Sequence, residues 1–343
     1  MKAFLILIII ISPLIIRAQS RDSGLWVKVR AEMEDGSRIV DRVNSADGFF
    51  KYRFNGKGTV KLSSDVLFDQ MKWTYYFNGA FLTVGRINYK VDKLTADSLV
   101  ITEVNVNVDS SKLRRYYYLK QDNISATDKP VYNSDLKDSV YHYSRYLFPE
   151  CKGEITAIMD QLKEFKFYDN GDLKIGFIIN KAGKLVNLNI IENNKLGNGF
   201  TKAVVKAFES STITWFPATL NRLAVNVYLE LSIRFTNDIG SRSYSLTYPL
   251  FKTPTIKGLT LDEMGDVDRY YQKGLKETKN HNYQKGIEAL TKCIATDPIF
   301  FDAYYLRAYL YLQIGDVPGA ERDWRYLADL GQVRATRFLK TLK

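Results

Sequence analysis

The sequence predicts a multidomain chain of mixed α and β class: an antiparallel β-barrel or sandwich, then a small α+β domain, then an array of α-helical pairs. Three observations predict it. Residues 23–121 hold many short runs of β-type residues divided by turn signals. Residues 147–235 read helix, strand, strand, helix, strand. From Val267 the apolar pattern becomes that of paired helices with a repeat of about 34 residues. A length of 343 residues and 45% hydrophobic content suffice for two or three packed cores.

Met1 to Ser20 opens with Lys2, continues as an apolar run from Ala3 to Ile16 interrupted at Ser12-Pro13, and ends Arg17-Ala18-Gln19. A bilayer-spanning helix needs ~20 apolar residues, and this core is shorter and contains a proline. Residues 1–18 therefore read as a secretory signal peptide, which makes the protein exported and periplasmic. The alternative is an uncleaved leader that anchors the chain in the inner membrane. No further segment has the length to span a bilayer, so the mature chain is expected to have no transmembrane span. The net charge of +11 includes Lys2 and Arg17; without them the mature chain carries 47 basic against 38 acidic residues, or +9. These basic residues are spread along the sequence and no nucleic-acid module is recognisable, so nucleic acid is not an expected partner.

Residues 21–121 carry Phe50 to Phe54, Trp73 to Phe77, Ile87 to Val91, Leu99 to Ile101 and Arg114 to Tyr118 as strands, with turns at Asp35-Gly36, Asn55-Gly56-Lys57-Gly58 and Asn78-Gly79. Gly24-Leu25-Trp26 followed by hairpins and a Tyr-rich strand resembles the small lipocalin-like domains of exported bacterial proteins. That resemblance implies a barrel able to enclose a small apolar ligand. Trp26, Phe54, Trp73, Tyr75 and Phe77 either line such a cavity or fill the core themselves.

Residues 122–140 are polar, contain Pro130, and read as a linker. In residues 141–237, Phe148-Pro149-Glu150 leads into a helix with Ile155, Ile158, Leu162 and Phe165 on one face. Leu173 to Ile179 and Val186 to Ile190 then alternate around the hairpin turn Asn180 to Lys184. Phe200, Val204 and Phe208 share a second helix face, and Trp215-Phe216-Pro217-Ala218 precedes a strand from Val225 to Phe235. These residues resemble the C-terminal domain of TonB-type energy transducers: Phe148-Pro149, the extended pair from Gly171 to Val186 around Lys-x-Gly-Lys, Trp215-x-Pro217-Ala218 and the long closing strand. The resemblance implies binding of peptide segments by strand addition, with a link to TonB-dependent transport. No Pro-rich linker accompanies it.

The closing strand extends ~36 Å at about 3.3 Å per residue, longer than the hairpin strands beside it, so part of its backbone pairs elsewhere. As an edge it would present Asn226, Tyr228, Glu230 and Arg234 beside an incoming chain, with Val227, Leu229, Leu231 and Ile233 in the core. Otherwise the edge is covered by Tyr141 to Phe148, or by a second copy of the chain in a homodimer through this domain.

Residues 238–265, with Gly240, Pro249, Pro254 and Gly258, read as an irregular linker. In residues 266–343 the repeat sets Tyr270 on Tyr304, Gly274 on Ala308, Gly286 on Ala320 and Leu290 on Trp324. This resembles two tetratricopeptide repeats, Val267 to Phe300 and Phe301 to Arg334, closed by a capping helix. The first helix of each pair would turn Tyr271, Leu275, Asp302, Tyr305, Tyr309 and Gln313 toward a peptide groove.

Cys151 and Cys293 lie in different predicted domains and read as small buried hydrophobes. Two histidines, His142 and His281, lack ligand-spaced companions, so no metal site is expected. No nucleophile with a base, phosphate loop or Gly-x-Ser-x-Gly elbow occurs. Without catalytic, cofactor or metal signatures, the sequence points to a non-enzymatic interaction protein that binds protein or peptide partners in the cell envelope. The alternative is a carrier of a small apolar ligand in the N-terminal barrel.

Overall fold

Alternation of inward and outward side chains along residues 24–120 closes a barrel. The computed structural model describes residues 23–42, 48–64, 71–121, 129–152, 162, 170–210, 214–238, 241–247 and 256–342. Its first eight strands are β1 (Gly24–Met33), β2 (Lys51–Phe54), β3 (Thr59–Ser63), β4 (Met71–Phe77), β5 (Phe81–Val84), β6 (Ile87–Leu94), β7 (Ser98–Glu103) and β8 (Arg114–Lys120). Each pairs antiparallel with the next, and β8 returns to β1. Of the two expected forms it is therefore the barrel, which leaves no open edge. Trp73, Tyr75 and Phe77 face inward opposite Val60, Val84 and Leu82, so Lys72, Thr74 and Tyr76 face outward. The Asn78-Gly79 turn needs its glycine: φ is +91° at Gly79, and the Asn78 Oδ1 accepts from the amides of Ala80 and Phe81.

The second sheet is mixed. It contains β9 (Val131–Asn133), β10 (Asp138–His142), β12 (Gly171–Ile179), β13 (Leu185–Asn194) and β16 (Leu223–Asp238) in the order β13-β12-β16-β10-β9. β15 (Ala218–Leu220) and β17 (Ser241–Thr247) also pair with β16, and a small separate ladder joins β11 (Glu150–Cys151) to β14 (Trp215–Phe216). The β10–β16 pairing is parallel; the others are antiparallel. Leu173, Ile175, Phe177, Leu229, Leu231 and Ile233 form the inner face, covered by helix α1 (Asn198–Glu209) through Phe200, Val204 and Phe208. The hairpin turn and the Trp215 motif meet: the Trp215 amide donates to the Gly183 carbonyl at 3.2 Å. Gly183, at φ +73°, has no room for a Cβ against the Trp215 carbonyl.

Two linker expectations are corrected. Within 122–140, Val131–Asn133 and the first part of Asp138–His142 are short strands, because β10 finds a backbone partner in β16 and β9 finds one in β10. The stretch 238–265 begins with β17, which extends that same sheet. The leader, 1–18, lies outside the described residues. So do 153–161 and 163–169, which carry most of the first helix expected in the central domain.

Helices α2 (Leu261–Lys279), α3 (Tyr283–Thr296), α4 (Phe301–Gln313), α5 (Val317–Asp329) and α6 (Val333–Thr341) stack in sequence order. Thr260 and Glu263 form a reciprocal capping box at the start of α2. Small residues let the helices approach: a Cβ on Gly274 would meet Leu290 at 2.7 Å, and one on Gly286 would meet Leu310 at 2.6 Å. No helix among the described residues is long and apolar enough to cross a membrane.

The barrel touches both other units. Leu25 and Val27, outward on β1, and Phe49 join the core of the second sheet. Beside them the Glu150 carboxylate accepts from Lys51 Nζ at 2.6 Å and from Arg53. The helices dock on the segment after β1: Gln332 Nε2 donates to the Arg38 carbonyl at 2.9 Å, and the Val333 amide donates to Ser37 Oγ at 3.0 Å. Arg42 pairs with Asp297 at 2.5 Å and Lys112 with Asp302 at 2.5 Å.

Candidate functional site

Toward one end of the barrel the inward side chains are buried against one another, and toward the other end the barrel is hollow. At the packed end Trp26, Phe54, Val60, Leu82 and Leu99 are at most 5% exposed. Toward the other end lies a cavity of about 460 Å³, within the range of small-molecule sites. Phe50, Leu62, Trp73 and Val84 supply its apolar wall, and Met71, Ile87, Glu103 and Arg114 stand where strands begin or end at the mouth. An eight-stranded barrel is just wide enough to be filled by side chains or to hold one small ligand, and here both occur along one axis.

Tyrosines bring the polar groups. The hydroxyls of Tyr118, Tyr52 and Tyr89 are hydrogen-bonded in a chain, with the Tyr52 and Tyr118 rings 5.3 Å apart. Burial pushes the phenols of Tyr52 and Tyr118 well above the ordinary tyrosine range and raises Tyr89 as well. They are neutral at physiological pH, and since the chain uses two of their three hydroxyl hydrogens, one remains to be donated to a ligand without bringing charge. Nearer the mouth, Tyr116 donates to Glu103 Oε1 at 2.8 Å, and the Arg114 amide donates to Glu103 Oε2 at 3.1 Å. Burial and then the Glu103 charge raise the Tyr116 phenol too. The cavity thus suits a mostly apolar molecule with one or two hydrogen-bonding groups.

Sequence reading singled out Trp73 for this interior but missed Tyr89, Tyr116, Tyr118, Glu103 and Arg114. The signal was present in Arg114-Arg115-Tyr116-Tyr117-Tyr118, where alternation sends Tyr116 and Tyr118 inward and Tyr117 out to Glu32 at 2.6 Å.

The four strand residues named from the sequence lie on the outer face of β16, as its alternation requires, but the strand is not an edge. β12 pairs along one side, while β10 takes residues 226–228 and β17 takes 232–238 on the other. The cover is internal, but only Tyr141 to Tyr143 of the Tyr141 to Phe148 segment take part in it, and β17 supplies a cover that the sequence reading did not offer. Asn226 is buried, donating to Asp138 and to the Ser139 carbonyl and accepting from the Lys181 amide. The Tyr228 ring lies across Gly176 and edge-on to His142. Glu230 pairs with Lys174 at 2.6 Å, and Arg234 with Asp172 at 2.8 Å.

The six helical residues are not gathered into one open groove. Asp302 and Tyr305 face the barrel, where they form a small cleft with Met33, Arg38 and Lys112. Burial pushes the Tyr305 phenol up to about 12. Tyr271 packs edge-on against Phe300, Leu275 is half-buried, and only Tyr309 and Gln313 stay exposed. The docked barrel covers Asp302 and Tyr305, two of the residues on which a peptide was expected.

No protein-family model, curated protein or solved structure matches this chain.

Proposed function

We propose that the chain is a non-catalytic carrier of the cell envelope, whose lipocalin-like barrel holds a small, mostly apolar molecule with a hydrogen-bond acceptor. The single observation that carries this reading is the 460 Å³ cavity, apolar on its walls and furnished with neutral phenols. The leader at Met1 to Ser20 supports an exported, periplasmic location. The TonB C-terminal-like and tetratricopeptide-like units then act as docking elements.

Native mass measurement on protein purified from its own host tests the reading. The expected result is a population heavier than the chain by one small molecule, absent in Val84→Trp, which places an indole in the cavity. An unliganded mass in both, together with equal binding of an apolar naphthylamine dye by both, would sink it.

A second reading is capture of an envelope protein, and the exposure of Tyr309 and Gln313 supports it. Strand addition to β16 would in that case require β10 or β17 to leave the sheet.

A further inference from the structure

The mouth of the barrel is basic on one flank and apolar at its rim. Lys61 on β3 stands directly opposite Lys72 on β4, and Arg53 on β2 stands opposite Lys61. All three point outward, because their neighbours Leu62, Trp73 and Phe54 point in. Directly opposed side chains on antiparallel strands sit about 5 Å apart at Cβ, and like charges there are destabilising. Glu150 answers Arg53. Lys61, Lys72 and Arg86 enter no ion pair among the described residues.

These cations border exposed apolar surface. The Leu62–Met71 pair is the last rung of the β3–β4 ladder, so the lysine pair is one rung from the mouth. There Met71 is 58% exposed and Ile87 44%. Arg86, in the turn between β5 and β6, forms a shallow outer groove with Trp73, Thr74 and Ile87. Trp73 and Ile87 also line the cavity, so the groove and the interior share a wall. The helices occupy the opposite flank, at Ser37, Arg38 and Lys112, and leave the β3–β6 flank open.

We propose that this flank docks on an anionic lipid surface, with Lys61, Lys72 and Arg86 among the headgroups and Met71 and Ile87 at the acyl boundary. Charge complementarity selects the surface, since each basic residue near an anionic bilayer contributes about 1 kcal/mol. Exposed apolar side chains ringed by cations match an interfacial site better than an acidic protein face, which would leave Met71 and Ile87 without apolar partners. Docking in this orientation puts the mouth against lipid, where an amphiphile can enter the cavity without crossing water.

Docking does not require a filled cavity, so it is measured apart from ligand binding. The full chain is sedimented with phosphatidylcholine vesicles, with and without phosphatidylglycerol. The expected result is a partition that rises with phosphatidylglycerol, falls with salt, and drops about tenfold or more in Lys61→Glu with Lys72→Glu. Association through the apolar leader would survive that double reversal. The single change Lys72→Glu replaces a repulsion by an attraction across the ladder, so its melting temperature should hold or rise while partition falls. Retained dye binding in these variants shows the barrel intact, because neither lysine lines the cavity. Equal partition onto both vesicle types, an unaffected double variant, or binding to polyglutamate in place of vesicles would each overturn the proposal.

Discussion

Glu150 shows how one carboxylate can hold two units together. It is 3% exposed and accepts from Lys51, itself 1% exposed, and from the half-exposed Arg53. The Lys51 ammonium also lies 5.0 Å from the centre of the Phe148 ring. Taking one partner from a buried pair costs about 3–5 kcal/mol, because the remaining charge is desolvated without compensation. Glu150→Gln should therefore lower stability to urea by about that much. The partly exposed pair Lys174–Glu230 provides the contrast, and Glu230→Gln should cost about 0–1 kcal/mol. Equal midpoint shifts for the two variants would show that Glu150 is solvated. The buried phenols set a limit at alkaline pH. The folded values of Tyr52 and Tyr118 are raised above the unfolded value of about 10, so their contribution is complete below about pH 10 and is lost as pH rises toward the folded values. Urea midpoints should stay level up to about pH 10 and then fall, with a shallower fall in Tyr52→Phe.

Among the elements, α2 contains two glycines with opposite predicted behaviour. Gly265 has open space where a Cβ would stand, whereas Gly274 faces Leu290 at 2.7 Å. Alanine gains about 1 kcal/mol over glycine in a helix interior, so Gly265→Ala should stabilise by up to that amount. At Gly274 the gain competes with overpacking that costs about 1–3 kcal/mol, because Leu290 is fully buried and has nowhere to move. Gly274→Ala should therefore lower the thermal midpoint of the helical unit, followed by circular dichroism. This pair of positions also marks what a sequence makes legible at this scale. The repeat superimposes Gly274 on Ala308, two small residues, and Gly274 stands where α2 and α3 approach closely. Strand identity was legible by the same means, through period-2 runs such as Leu173 to Ile179. Strand partners were not: β16 reads the same whether its second side meets solvent, a partner protein or β10, since a ladder bond leaves no mark on side-chain alternation. Residues 131–133 and 138–140 read as linker because segments of three residues are too short to show a period.

Across the whole molecule, the succession of barrel, mixed sheet and helices followed from changes of period along the chain. The hollow end did not. Alternation states which side chains point inward, but whether they meet depends on the volumes of residues from all eight strands, summed at each level of the barrel. The docking of the helices on Ser37 to Arg42 and on Lys112 was equally silent, resting on carbonyls, a serine hydroxyl and two ion pairs that no apolar pattern announces. The shared core of barrel and sheet bears on how the chain is made. The barrel closes when β8 pairs with β1, and everything it needs has been synthesised by Lys120. Its outer residues Leu25 and Val27, however, wait for core partners as late in the chain as Phe235. At about 5–20 residues per second, a finished barrel displays that uncovered apolar strip on the order of ten seconds before its own cover has been translated. During this interval the nascent chain is most exposed to wrong association, and a chaperone that shields β1 would act there.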